Sequence, residues 1–252
     1  MLSFMQFLHV LQTTCEDPFA SMAFDESLLF SSIAQKRNIP ILRFYRFPNK
    51  AITIGFSQRD RHFLDQLDFS GTVWVRRLTG GGLVIHDGDL IFSLTLSKDL
   101  RTEFNSARSA YCAIHRVIQA ALKRLHVETV LQKGSRAEAN YLPGEMVCFE
   151  RPVCDDLMLN GRKLVGGAEK HSRGYLLHQG SIQYHGILTD AMKIEEAISL
   201  SFEEKFNWFP KRREATSDEE ALKRELEQVK YRLPNWNFFA RVNSDPVLAD
   251  LT

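Results

Sequence analysis

Residues Arg76-Arg77-Leu78-Thr79-Gly80-Gly81-Gly82-Leu83-Val84-Ile85-His86-Asp87-Gly88-Asp89 constrain this chain more than any other stretch. Three consecutive glycines sit between strand-like runs, with two arginines before them and a His-Asp pair after. Such a run costs backbone entropy and adds no side-chain packing. A chain tolerates that where backbone must come close to something, either an anionic or carbonyl-bearing ligand or another segment. A tight hairpin loop that needs positive φ angles is the simpler reading of the same letters.

The surroundings describe an ordinary globular protein. The chain has 252 residues, 44% hydrophobic and 25% charged, with a formal charge of +1. Those values permit a sizeable core and give no global field for nucleic acid or an anionic membrane surface. The start, MLSFMQFLHVLQTT, lacks a basic region and a small-residue cleavage site, so it reads as a strand. No apolar run is long enough to span a bilayer. Four irregularly spaced cysteines (Cys15, Cys112, Cys148, Cys154) make neither a disulfide framework nor a zinc pattern, and a cytoplasmic setting is expected.

Asp17-Pro18 is a helix start, with Asp17 as cap and Pro18 in the first turn, and the helix should run to about Gln35. Its expected buried stripe is Phe19, Met22, Ala23, Leu29 and Ile33. Strands are expected at Ile41–Phe47, Ala51–Gly55, Thr72–Arg77 and Asp89–Ser97, the last alternating as a half-buried strand does. A second helix, capped by Asn105, should run to about Leu125 and pack through Ala110, Ile114, Val117 and their neighbours, with Cys112 and His115 structural. Further strands are expected near Val147–Phe149, Asp156–Leu159, Lys163–Glu169 and Leu176–His185, with a hairpin turn at Asn160-Gly161. Ser217 with Glu220 resembles a capping box for a helix to about Lys230. These elements give an α/β (α+β) domain, a mixed β-sheet covered by helices. Residues 1–205 would form it, and 206–252 a small helical C-terminal appendage.

Four groups could carry chemistry. Lys163 lies between the Asn160-Gly161 turn and the small run Gly166-Gly167-Ala168, a strand without bulk that invites close approach. Cys148 is either a small buried hydrophobe or, beside a cation, a reactive thiol. His86 and His178 could act as bases or as hydrogen-bonded orienters. Neither histidine has ligand-spaced companions for a metal. Between Arg43 and Arg77, seven basic residues stand against three acidic ones. That stretch is a solvated face or a surface for an acidic partner.

Five blocks in order resemble the lipoate-protein ligase and octanoyltransferase family, which is related in fold to biotin protein ligases. They are Ser21–Glu26; Leu42–Arg46 leading to Ile54–Gln58; Arg76–Asp89; Gly161–Ala168; and His178–Ser181. The resemblance implies a glycine loop and lysine around a tunnel for a medium-chain acyl or lipoyl group. That group would be delivered to a lysine of a lipoyl domain, as in 2-oxo-acid dehydrogenase E2 subunits or the glycine cleavage H protein. Cys148, fifteen positions before Lys163, matches the branch that carries the chain on a cysteine and takes octanoyl thioester from acyl carrier protein without a cofactor. The ligase alternative uses free lipoate with ATP and Mg; a non-catalytic acyl-binding homologue is a third reading. By resemblance Cys148 and Lys163 are catalytic. Arg76, Arg77, Thr79, Gly80, Gly81, Gly82, His86, Gly166, Gly167, Ala168 and His178 bind substrate, and neither a metal, a nucleic acid nor a membrane takes part.

Overall fold

In the computed structural model the described residues are 6–59, 71–134, 149–184, 186–187 and 190–241. Expectations for Val147 and Cys148 fall outside them. The strands are β1 (Gln6–Cys15), β2 (Ile41–Arg46), β3 (Ala51–Ile54), β4 (Val73–Arg76), β5 (Val84–His86), β6 (Leu90–Ser97), β7 (Val130–Leu131), β8 (Leu157–Leu159), β9 (Arg162–Ser172), β10 (Tyr175–Ile182) and β11 (Trp208–Arg213). The helices are α1 (Pro18–Ala34), α2 (Ala107–Arg124), α3 (Ala191–Phe206), α4 (Ser217–Leu226) and α5 (Pro234–Phe239), with a π turn at Glu227–Tyr231 joining the last two.

Among the described residues the main sheet has eight strands in the order β11-β1-β2-β6-β10-β9-β8-β7, and a second sheet orders as β4-β3-β5. The fold is the expected α/β arrangement, a mixed sheet with helices on it: β1 pairs in parallel with β2, whereas the successive pairs β2–β6, β6–β10 and β10–β9 are antiparallel. One face of the main sheet packs with α2 and α3 around Phe92, Leu94, Ile114, Ile118, Ile198 and Phe202. The other packs with α1, the small sheet and the C-terminal turns, through Met22, Tyr45, Val75, Ile91, Leu177 and Trp236. Two covered faces explain why β6 is buried at all eight positions rather than half-buried.

Local chemistry sets the ends of the elements. Asp17 accepts a hydrogen bond from the Ala20 N–H at 3.0 Å, with Pro18 at the start of the helix, as expected. Asn160 (φ 50°) and Gly161 (φ 78°) both adopt the left-handed conformation that a two-residue hairpin turn requires. Two caps differ by one residue. Ser106, not Asn105, caps α2, and the capping box at α4 is Thr216 with Glu219, not Ser217 with Glu220. In each case a neighbouring hydroxyl reaches the free N–H first.

Phe149, expected at a strand end, lies in a turn. The segment after Phe206 is not helix alone: Trp208–Arg213 is a strand pairing in parallel with β1. Pro210 and the charged run Lys211–Arg213 lie at a sheet edge, where charge and proline are tolerated.

Candidate active site

Strand β9 carries the central feature. Leu157 pairs with Val165 and Met158 with Lys163, so Leu164 is an extra residue on β9. Such a bulge re-aims the side chains that follow it. Here it lets Leu164 and Val165 both enter the α2-side core while Lys163 and Gly166 share the opposite aspect. A Cβ at Gly166 would stand 2.1 Å from Lys163 Cε and 2.5 Å from Nζ, so the missing side chain is the space that the lysine occupies.

Lys163 is buried and ion-paired: Nζ lies 2.8 Å from Asp156 Oδ2, with side-chain exposures of 3% and 0%. Asp156 also accepts the Val153 N–H at 2.7 Å and the Tyr111 hydroxyl at 2.5 Å. Tyr111 in turn accepts the Gly167 N–H at 3.0 Å. The Phe149 ring completes the surroundings, with Nζ 5.0 Å from its centroid. Asp156 and Tyr111 were not singled out from the sequence, since one read as the start of a strand and the other as helix packing.

Lys163 stands on the wall of a cavity. Apolar side chains, among them Met22, Phe47, Val84, Ile91 and Phe149, form much of its lining; Gly166, Gly167, Ala168 and Gly180 add a surface without bulk. Polar groups at its wall include Thr53, Arg77, His86, Gln179 and Ser181. A mostly apolar hollow with a few convergent polar atoms is the usual form of a small-molecule site. A second cavity, lined by Ile85, Glu150, Pro152 and Arg162, meets the first at Phe149 and Lys163.

The expected residues divide by place. Lys163, Arg77, His86, Gly166, Gly167 and Ala168 line the cavity; Thr79, Gly80, Gly81, Gly82, Arg76 and His178 are not among its lining residues. His178 is fully buried beneath Gly167, stacked on Phe92 at 5.6 Å, with Nδ1 3.3 Å from Glu169 Oε1. Burial raises the pKa of Glu169, but hydrogen bonds from His171 and His178 outweigh it and hold the carboxyl below its ordinary range.

His86 has both ring nitrogens engaged. Nδ1 lies 2.8 Å from Asp89 Oδ2 and Nε2 2.9 Å from Thr53 Oγ1. Asp89 also accepts the Ser181 hydroxyl. Thr53 Oγ1 accepts from Arg77 at 3.1 Å, leaving its own proton to point at His86 Nε2. A neutral imidazole donating to Asp89 therefore has its lone pair occupied, which suits an anchor of β5 better than a base.

Three of the seven basic residues of the arginine-rich stretch are turned inward, whereas Lys50 and Arg59 are exposed. Arg43 and Arg76 are fully buried and Arg77 is 5% exposed. Arg77 Nη2 donates to the Gly80 and Gly82 carbonyls at 2.6 and 2.7 Å, folding the glycine loop over its guanidinium. Gly55 completes the fit, since a Cβ there would lie 1.9 Å from the Gly81 oxygen. The glycines are thus explained first by backbone meeting backbone. Arg43 donates to Asp25 Oδ1 at 2.8 Å, and Asp25 also accepts from Ser93, Tyr45 and Gln179 at 2.7, 2.9 and 2.6 Å. Gln179 is thereby oriented so that its Oε1 accepts the Thr79 hydroxyl at 2.7 Å, tying the loop to β10. Asp25 was also missed, although an acid within the apolar run Ser21–Phe30 is a signal that a buried partner exists.

Among the described residues no group of three His, Cys, Asp or Glu side chains could hold a metal, and no helix is long and apolar enough to cross a membrane.

Octanoyltransferase LipM of Oceanobacillus iheyensis is 34% identical over 181 residues, covering 68% of this chain and 62% of the relative. Octanoyltransferase LipM of Moorella thermoacetica is 32% identical over 178 residues, covering 69% and 63%. The chain thus matches a little over three fifths of the length of these relatives. A bi-partite lipoate protein ligase from Thermoplasma acidophilum, studied with its E2 lipoyl domain, superposes with a TM-score of 0.72 at 21% identity, covering 95% of this chain and 99% of that one. Residues 17–232 match the family described as the lipoyl protein ligase A/B catalytic domain, and the chain belongs to that family.

Proposed function

We propose that the protein transfers an octanoyl group from a thioester donor, octanoyl-acyl carrier protein, to a lysine of a lipoyl domain, with Cys148 as the covalent carrier. The observation that carries this reading is the placement of Lys163: a fixed ammonium group on the wall of an apolar cavity, against Phe149, the residue that follows Cys148 in the chain. The likeness to relatives named octanoyltransferase supports the same chemistry.

In the first half-reaction the Cys148 thiol gives up its proton and its thiolate attacks the octanoyl carbonyl; a new C–S bond forms, the C–S bond to the carrier breaks, and the carrier thiolate leaves and takes up that proton. In the second, the acceptor lysine amine attacks the Cys148 thioester, an amide forms, and the Cys148 thiol is released. Thioester to amide is downhill, so this route consumes no ATP. Lys163 contributes as a hydrogen-bond donor to the developing oxyanion, a role that contributes roughly 3 kcal/mol in comparable sites. Because Asp156 balances its charge, its field on a neighbouring thiol is reduced, and donation is the larger part. Burial of the acyl chain, at about 0.8 kcal/mol per methylene, supplies most of the binding energy. Arg77, His86 and Gln179 shape the cavity, while Gly166, Gly167 and Ala168 provide a wall that the chain can lie against.

The test is to incubate purified protein with octanoyl-acyl carrier protein and weigh it intact. One octanoyl group should appear on the wild type and none on Cys148→Ala, and a lipoyl domain added afterwards should take it up. Full transfer by Cys148→Ala would remove the covalent relay. Release of pyrophosphate from ATP with free lipoate would instead assign the ligase reaction.

A further inference from the structure

The Arg76 side chain is completely buried, and its guanidinium hydrogen bonds are all to backbone carbonyls. Two acceptors lie beside the glycine loop: Gly55 O at 2.8 Å and Phe56 O at 3.2 Å from Nη1. The others belong to α5, with Trp236 O and Asn237 O at 3.1 and 2.9 Å from Nε and Phe238 O at 3.5 Å from Nη2. These are end carbonyls of a short helix, the groups that carry its partial negative charge; Trp236 O is shared with the Ala240 N–H at 2.9 Å. The main chain of Arg76 is held as well: its N–H donates to Asn237 Oδ1 at 2.9 Å, and its carbonyl accepts the Trp236 indole N–H at 2.8 Å. Burial, followed by the charges of Arg59 and Arg77, lowers the Arg76 pKa to about 10.

The contacts continue to the cavity. Gly55 and Phe56 are the residues on which the glycine loop is seated: the Phe56 N–H donates to Thr79 O at 2.9 Å, and Gly55 leaves room for the Gly81 carbonyl. The next residue after Arg76, Arg77, grips Gly80 and Gly82 and lines the cavity. Helix α5 is anchored from behind by Lys230, whose Nζ lies 3.9 Å over the Trp236 ring and 2.6 Å from Glu26 of α1. Residues 234–239 lie past the segment matched by the family. They nevertheless complete the hydrogen bonding of an arginine within the glycine motif.

We propose that Trp236 and Asn237 are positioning residues, through which helix α5 holds Arg76 and so sets the shape of the glycine loop for acyl binding. Without α5 the Arg76 fork would keep only the Gly55 and Phe56 carbonyls, and the buried cation would draw water or swing outward, carrying Arg77 and the loop with it. The kinetic part rests on the octanoyl-transfer reading; the structural part does not.

The test uses the full chain with Asn237→Ala, which removes the acceptor for the Arg76 N–H, and Trp236→Phe, which keeps a ring on Lys230 but removes the indole donor. Hydrogen exchange of peptides spanning residues 54–57 and 76–83 should quicken by about five- to tenfold, the size of one lost hydrogen bond, while β10 stays unchanged. The KM for octanoyl-acyl carrier protein should rise by a similar factor of about five to ten, with kcat within about twofold. Unchanged exchange at 76–83 in both variants would overturn the proposal. So would exchange that quickens equally in β10, or a fall in kcat at constant KM. If the wild type transfers no octanoyl group, the proposed function fails, and the exchange measurement still decides this inference.

Discussion

Asp156 and Lys163 form an ion pair, 2.8 Å apart, in which both side chains are shut off from water and the acid is braced by the Tyr111 hydroxyl and the Val153 N–H. The lysine is therefore held by a built frame at the wall of the cavity. Breaking one side of such a pair leaves an uncompensated buried charge. Asp156→Ala should therefore lower stability by about 3–5 kcal/mol in a urea titration.

Lys163→Met should behave differently from Lys163→Ala in stability but not in activity. Both remove the donor and should cut octanoyl transfer by on the order of 10²–10³-fold under saturating donor. The methionine variant keeps the bulk over Gly166 and so avoids a void, though each variant leaves Asp156 without its cation. Transfer at the wild-type rate by either variant would remove Lys163 from the chemistry.

Two glycine-to-alanine changes separate side-chain crowding from backbone crowding. At Gly166 the new methyl crowds the end of the Lys163 side chain, which can yield only by loosening its pair with Asp156, so transfer should fall while the backbone stays in place. At Gly55 the methyl meets the Gly81 carbonyl at 1.9 Å, and backbone cannot yield so cheaply. Gly55→Ala should lose both melting temperature and acyl binding. Thermal melts beside transfer assays distinguish the two outcomes.

Acid stability should depend on Glu219, far from the cavity. Burial alone would raise its pKa, but hydrogen bonds from Arg213, the Thr216 N–H and Arg37 outweigh that and lower it from 4.5 to about 2. A carboxyl depressed on folding contributes stability that is complete above its unfolded value and disappears as pH falls through the folded one. Melting temperature should fall between about pH 5 and pH 2, and Glu219→Gln should flatten that part of the curve. An equal slope in both proteins would show that other carboxyls govern the transition.

Local signals in the sequence were faithful where a single residue type enforces a conformation. Asp17-Pro18 starts a helix and Asn160-Gly161 turns a hairpin because few other pairs do so readily. The leucines of β6 correctly mark one face, but its burial on the other depends on α1 and the small sheet, which no strand pattern records. The charged positions were the hardest to place. Arg43, Arg76 and Arg77 look like a solvated patch because composition does not show where carbonyls and carboxylates converge. Asp25, Asp156 and Tyr111 gain meaning only when α1, β8 and α2 are brought against β9 and β10. The glycine run and the small-residue strand beside Lys163 marked both places, and the family resemblance gave them roles; the frame around them came from tertiary contacts.

The pairing of β11 with β1 joins Gln6–Leu11 to Trp208–Arg213, just over two hundred positions later. During synthesis, β1 must wait on the order of 10–40 s at ordinary elongation rates before its outer neighbour leaves the ribosome. Until then its outer flank is an open template for other nascent chains. A ribosome stalled before Trp208 would release a polypeptide with that flank uncovered, a natural substrate for chaperones and proteases.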